Sequence, residues 1–183
     1  MVTGDGQKRG FTVWTSPLTN FNVAEWDEIF WFTVRRKGHE KGVNTYIMTC
    51  LSREPRQIVA FEVDESLKAE IIQKMADRIT PFNRNYTDGG KSYLDVDFGG
   101  HHCRNIHDKS DTYLVEGSNA DIRCYIAGLQ RRSRCFFRKL GTLRSVLWIF
   151  INAYNKFGEW KYKQSLLNPN HSRFYSNHHI NFI

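Results

Sequence analysis

Three short stretches of alternating residues, followed by a switch to helical spacing, constrain this 183-residue chain more than any other feature. The stretches are 26–35, 43–51 and 57–63. In the second, Val43, Thr45, Ile47, Thr49 and Leu51 share one face; in the third, Val59, Phe61 and Val63 do. A period of two is that of a strand with two unlike faces. The segments between them, 37–42 and 52–55, are short and polar, so both read as hairpin loops and the three strands as an antiparallel meander. The period then lengthens. Leu67, Ile71, Ile72, Met75 and Ile79 form one helical stripe, with Ser66 placed to cap it and Pro81 at its exit. Segment 83–88 reads as a fourth strand and 102–107 as a fifth. A helix over 112–138 follows, with Val115, Ile122, Ile126 and Leu129 spaced for burial and Gly128 a point of interruption. A last helix over 142–157 buries Leu143, Val146, Leu147, Phe150, Ile151 and Tyr154. Residues 1–24 read as an irregular leader, 25–157 as one folded domain, and 158–183 as a polar, flexible tail.

Antiparallel strands, a crossover helix, then strands alternating with helices is the order of an RNase H-like α/β fold, a mixed sheet flanked by helices. That fold carries one acid on its first strand, one at the end of its fourth and one on a later helix. Asp27, Asp88 and Glu116 fall in those places. Acids distant in sequence that converge in space are what a chain needs to hold two divalent cations. Mg²⁺, or Mn²⁺ in its place, takes oxygen ligands, Mg²⁺ at about 2.1 Å. Two such ions about 3.5–4 Å apart serve in-line displacement at phosphorus. Asp27 is the candidate shared ligand, Asp88 the ligand of one ion and Glu116 of the other. Each acid alone also suits an ordinary role: a strand end, an Asp-Gly turn, a favourable charge in a first helical turn. Glu28 adjoins Asp27 and is expected on the opposite face of its strand.

The net charge of +7 favours a polyanionic partner. On a continuous helix, Glu116, Arg123 and Arg134 would share a face, being near-whole numbers of turns apart. Arg131, Arg132, Arg138 and Lys139 extend that charge, so these six are the candidate DNA-binding residues. No run of about 18 apolar residues exists, so no membrane span is expected. Cys50, Cys103, Cys124 and Cys135 form no C-x-x-C pair, which argues against a zinc ribbon or disulfide framework and suits a reducing cytoplasm. His101, His102, Cys103 and His107 raise a zinc alternative, but adjacent histidines serve one tetrahedral site poorly. A single histidine there instead suits an approach to the acids or to a phosphate.

The stretch 109–119, followed by Ile122-Arg123, Leu129, Arg131-Arg132, Phe136 and 150–155, resembles the C-terminal half of insertion-sequence-one-type transposases. Trp26-Asp27-Glu28 with Trp31-Phe32 and Arg36-Lys37 resembles their first-acid motif, and Thr87-Asp88 with Tyr93 their second. The resemblance covers roughly 25–157. It implies a DDE-type catalytic domain using magnesium, which cleaves the ends of a mobile element and joins the freed 3′-hydroxyl to target DNA. Asp27, Asp88 and Glu116 carry over as its acids, and Asn119 and Arg123 match helix positions near the third. It further implies a homo-oligomer at the nucleoid, with zinc-finger and helix-turn-helix recognition supplied by a fused or separate partner. Gly117 stands where the family has an arginine, and Gly90 where it has an aromatic. A resolvase-like nuclease, or a descendant that binds DNA without cutting it, are the alternatives.

Overall fold

The computed structural model describes residues 13–17, 19–33, 43–105, 111–130 and 137–167. Over these, the chain is a mixed α/β structure. Strands β1 (Val23–Thr33), β2 (Val43–Ser52) and β3 (Gln57–Asp64) form the expected meander. Helix α1 (Ala69–Ala76) crosses to β4 (Arg84–Asp88), and β5 (His101–Asn105) follows. The sheet order is β3-β2-β1-β4-β5, with β4 parallel to β1 and β5 parallel to β4. Helices α2 (Tyr113–Tyr125) and α3 (Leu140–Leu167) complete the set.

Alternation along β1 and β2 sends side chains into two cores. Ile29, Trp31, Ile47 and Leu51 meet Val115 and Ile122 of α2 and Leu143, Leu147 and Ile151 of α3. Ala24, Trp26, Met48 and Cys50 meet Ile72 and Met75 of α1, together with Tyr93 and Phe98, on the other face. Each large apolar side chain so buried stabilises by about 1.5–3 kcal/mol. The sheet is therefore covered on both faces and its middle strands carry apolar residues on both, which is why a strand such as β1 departs from a simple apolar–polar pattern.

Residues before β1 are fastened to this body. Val13 lies in the core of the α2/α3 face. The Trp14 amide donates to Asn152 Oδ1 at 2.8 Å, and Asn155 Nδ2 donates to the Trp14 carbonyl at 2.7 Å. Asn155 also accepts from the Ile58 amide at 3.0 Å and donates to the Ile58 carbonyl at 2.9 Å, so one buried side chain takes the place of a neighbour along edge strand β3. Asn155→Ala leaves these buried backbone groups without partners. It is expected to cost at least about 2 kcal/mol, seen as a lower denaturation midpoint with an unchanged denaturant slope.

Three expectations are corrected. Ser66 does not cap α1; its amide and hydroxyl both bond Asp64 Oδ1, and Lys68 holds the N-cap position. The helix expected over 112–138 stops at Tyr125, because Ile126 turns to an extended conformation (φ −93°, ψ 100°). A 3₁₀ turn follows at Ala127–Leu129, which lets Leu129 reach the core, while Gln130 Nε2 donates to the Cys124 carbonyl at the helix end. The last helix runs to Leu167, beyond the expected end at 157; on the extension Glu159 and Lys163 pair one turn apart at 2.6 Å while Trp160 and Leu167 are exposed. Among the described residues, no helix is long and apolar enough to cross a membrane.

Candidate metal centre

The pairing of β1 with parallel β4 ends at Trp26 and Thr87. Asp27 and Asp88 are the next residues on each strand, so the two acids stand side by side where β4 stops and β1 continues. Carboxyl ends of neighbouring parallel strands are where sheets of this kind hold ligands. Both acids were singled out in the sequence, and their strands set them next to each other.

A third carboxylate joins them, and it is Glu28. One oxygen each from Asp27, Glu28 and Asp88 lies within 4.8 Å of the others, and this is the one group of three possible metal ligands among the described residues. Glu28 does point away from Asp27, as strand alternation requires. Its opposite face is lined by Tyr93, whose hydroxyl donates to Glu28 Oε2 at 2.7 Å. Because β4 ends at Asp88, no neighbouring backbone separates the two faces beyond that residue, and Asp88 is reached from both. Alternation alone hid this, since it assigns faces and says nothing of where a neighbouring strand stops.

Glu116 lies in the first turn of α2 and near Asp27, whose carboxyl feels its charge, but it is not one of the close three. One helical turn on, Asn119 is buried and donates to Asp27 Oδ2 at 2.8 Å. Asn119 Oδ1 in turn accepts from the Thr49 hydroxyl at 2.9 Å, which fixes the amide orientation and so the rotamer of Asp27. Asn119→Ala should lower a metal-dependent activity about 10–100-fold, the usual effect of losing a group that orients a ligand. A thermal melt alongside separates that effect from unfolding.

Asp88 is held from its own turn. Its Oδ1 accepts from the Gly90 amide at 2.8 Å. A Cβ on residue 90 would stand 2.8 Å from that oxygen and 3.3 Å from the Tyr93 ring, so the glycine leaves room for the Asp88 carboxylate and the Tyr93 ring. The absence of an aromatic at this position thus has a steric reason in this chain. At Gly117 a Cβ would meet nothing within 4 Å, so nothing in the packing calls for glycine there.

Burial raises the Asp27 carboxyl above its ordinary 3.8, and the charges of Glu116 and Asp88 add to that; the Asn119 bond opposes it. Glu28 is likewise raised above 4.5 by burial, against the bond from Tyr93. None of the three close carboxylates pairs with a lysine or arginine among the described residues. Three hard oxygen donors without a cationic side-chain partner among the described residues suit a divalent cation.

Another acid escaped the sequence reading. Glu25, fully buried, lies on the same face of β1 as Asp27. Its Oε1 accepts from Arg53 Nε at 2.6 Å, and its Oε2 accepts from the Leu114 and Val115 amides at 2.9 Å each. Arg53 also bonds Asp111 and lies 4.7 Å from the centre of the Tyr86 ring. This carboxylate therefore pins the N-terminus of α2, and with it Glu116 and Asn119, against β1. A charged residue in phase with Ile29 and Trp31 was the available signal.

Of the proposed DNA-contacting residues, Arg123 is exposed on α2 and Arg138 and Lys139 precede α3. Arg131, Arg132 and Arg134 lie outside the described residues. Since α2 ends at Tyr125, the single helical face joining Glu116, Arg123 and Arg134 does not exist. His102 Nε2 is 2.9 Å from the Thr87 hydroxyl and its ring packs on Phe98, so it supports β4 beside Asp88. His101 Nδ1 is 3.0 Å from Cys103 Sγ, and no third ligand joins them among the described residues; His107 is outside these.

No family model and no curated protein matches the chain. Among solved structures, it is similar to a chain of the simian T-cell lymphotropic virus intasome in complex with PP2A regulatory subunit B56 gamma. The TM-score is 0.48 at 12% identity, over 63% of this chain and 42% of that one. The chain thus spans less than half of that neighbour's length.

Proposed function

We propose that this chain is a metal-dependent phosphodiester-cleaving enzyme of RNase H-like fold, a DDE-type transposase catalytic domain acting on DNA. The convergence of Asp27, Glu28 and Asp88 within 4.8 Å, where β4 stops beside the continuing β1, carries the reading. The strand order, with an antiparallel meander followed by two strands parallel to the first, supports the fold assignment. The net charge of +7 supports a nucleic-acid partner.

Asp27, Asp88 and Glu28 would hold the cations, with Glu116 at the margin to take part as α2 adjusts. Mg²⁺ or Mn²⁺, two ions in the active complex, would supply a more acidic bound water or 3′-hydroxyl and charge for the leaving oxygen. The chain's own contribution is placement. Asn119 orients Asp27, Tyr93 orients Glu28, and the Gly90 amide orients Asp88. Arg123, Arg138 and Lys139, with Arg131, Arg132 and Arg134, are the proposed backbone-binding cations. A homo-oligomer, with end recognition from a fused or separate partner, belongs to the same proposal. Incubation with supercoiled plasmid tests it: nicking that needs Mg²⁺ or Mn²⁺ supports it, and a purified, folded chain that never nicks DNA contradicts it.

The raised carboxyls give a second test. The folded chain binds protons more tightly than the unfolded one at Asp27 and Glu28. Without metal, their contribution to stability is present below the ordinary values of 3.8 and 4.5 and is lost as pH rises through the raised ones. A divalent cation reverses that loss. The rise in melting temperature on adding Mg²⁺ should be small at acid pH and grow towards pH 8, reaching the equivalent of about 2.7 kcal/mol at a hundredfold excess over Kd. An Mg²⁺ effect of equal size at both pH extremes would contradict it.

A further inference from the structure

We infer that Arg104 is a phosphate contact for a nucleic-acid strand lying across the carboxylate cluster, an inference that rests on the reading above. Arg104 is on β5, whose parallel pairing with β4 sets it beside Thr87 and sets Asn105 beside Asp88. Its Nη2 donates to the Gly89 carbonyl at 2.8 Å, one peptide beyond Asp88. The guanidinium is thereby fixed against the turn that carries the second acid. Strand alternation puts Arg104 on the same sheet face as Glu28, so one positive and one negative side chain flank that turn from either side.

Arginine has five N–H donors, and here one of its nitrogens is engaged. Nε is buried and bonded to no acceptor in the protein, so an outside anion would meet the exposed Nη end of the guanidinium. No carboxylate pairs with Arg104 among the described residues, whereas Arg53, Arg78 and Arg144 are each committed to acids. A cation left without a carboxylate yet held in position beside an acidic cluster is a site for an outside anion. The fork of a guanidinium matches two oxygens of a phosphodiester. Cations at Asp27, Glu28 and Asp88 would draw the strand to the edge of the sheet, and Arg104 would take an adjoining phosphate, fixing its register.

The test is binding of a fluorescent duplex oligonucleotide over a range of salt, with Ca²⁺ present, for the wild-type chain, Arg104→Gln and Arg104→Lys. Loss of one phosphate contact should flatten the slope of log K against log salt by about 0.9 in Arg104→Gln. Arg104→Lys should keep the wild-type slope, and the melting temperatures of all three should agree. An Arg104→Gln slope equal to wild type overturns the inference, as does a wild-type chain that binds no DNA. If the slope depends on Arg104 but no metal ion supports nicking, the enzymatic reading fails and the phosphate contact stands. If nicking occurs with an unchanged slope, the reverse holds.

Discussion

Asp27→Asn is expected to remove the proposed metal-dependent strand cleavage while leaving the fold intact. Asp27 is the acid at which everything in the site meets. It is near Asp88 and Glu28, it feels the charge of Glu116, and Asn119 fixes its rotamer. Loss of a supporting partner alone costs about 10–100-fold at metal sites, so loss of the ligand itself should exceed a hundredfold. The amide is nearly isosteric and still accepts from Asn119. It also removes one of several clustered negative charges, so without metal the variant should melt no lower than wild type at pH 8. The same substitution should abolish the Mg²⁺-induced rise in melting temperature. Asp88→Asn and Glu28→Gln should follow the pattern, and Glu116→Gln should lose cleavage too under the proposed role. Plasmid nicking and melting curves measured on one preparation check all of these. A variant at Asp27 that cuts normally would remove that acid from the site.

The largest loss of stability is expected at Glu25 and Arg53, away from any catalytic role. Glu25 is buried, and burial is the chief reason its carboxyl is raised, yet Arg53 and two backbone amides hold it. Arg53→Ala leaves that buried carboxylate with only its two backbone amides and takes the ion-pair partner from Asp111 as well. Breaking a fully buried pair from one side costs about 3–5 kcal/mol; with Arg53 partly exposed and two amides still on Glu25, about 2–3 kcal/mol is expected, still a large share of the 5–15 kcal/mol typical of a domain. Glu25→Ala should cost as much, since it also strips the α2 amides of their acceptor. Because α2 carries Asn119 and Glu116, both variants should lose activity together with stability. A denaturation midpoint within error of wild type for either would contradict this account of how α2 is anchored.

Much of the frame was legible. The meander followed from period-two alternation and the crossover helix from the change of hydrophobic period at residue 67, and β4 was placed at its observed end; the loop expected at 37–42 lies outside the described residues. Asp27 and Asp88 stand out in the sequence because an acid in an apolar run and an Asp-Gly turn are local signals. Glu28 was not found, because its convergence depends on the length of β4 relative to β1, a property of the sheet and not of either strand. Glu25 was missed for a related reason: its value lies in two amides of a helix 89 and 90 residues away. Apolar spacing over 112–138 ran on past the real end of α2 because Ile126 and Leu129 are buried from an extended residue and a 3₁₀ turn, which spacing does not distinguish from a helix. In the sequence Asn152 and Asn155 stand out only as part of the stretch 150–155; that they fasten Trp14 and edge strand β3 depends on the fold.

Anomalous diffraction from crystals soaked in Mn²⁺ tests the central claim most directly. The account predicts a manganese peak in contact with the carboxylates of Asp27 and Asp88, with Glu28 or Glu116 completing the protein ligands, and its loss in Asp27→Asn. A peak bound elsewhere, or none at these carboxylates at saturating metal, would contradict it.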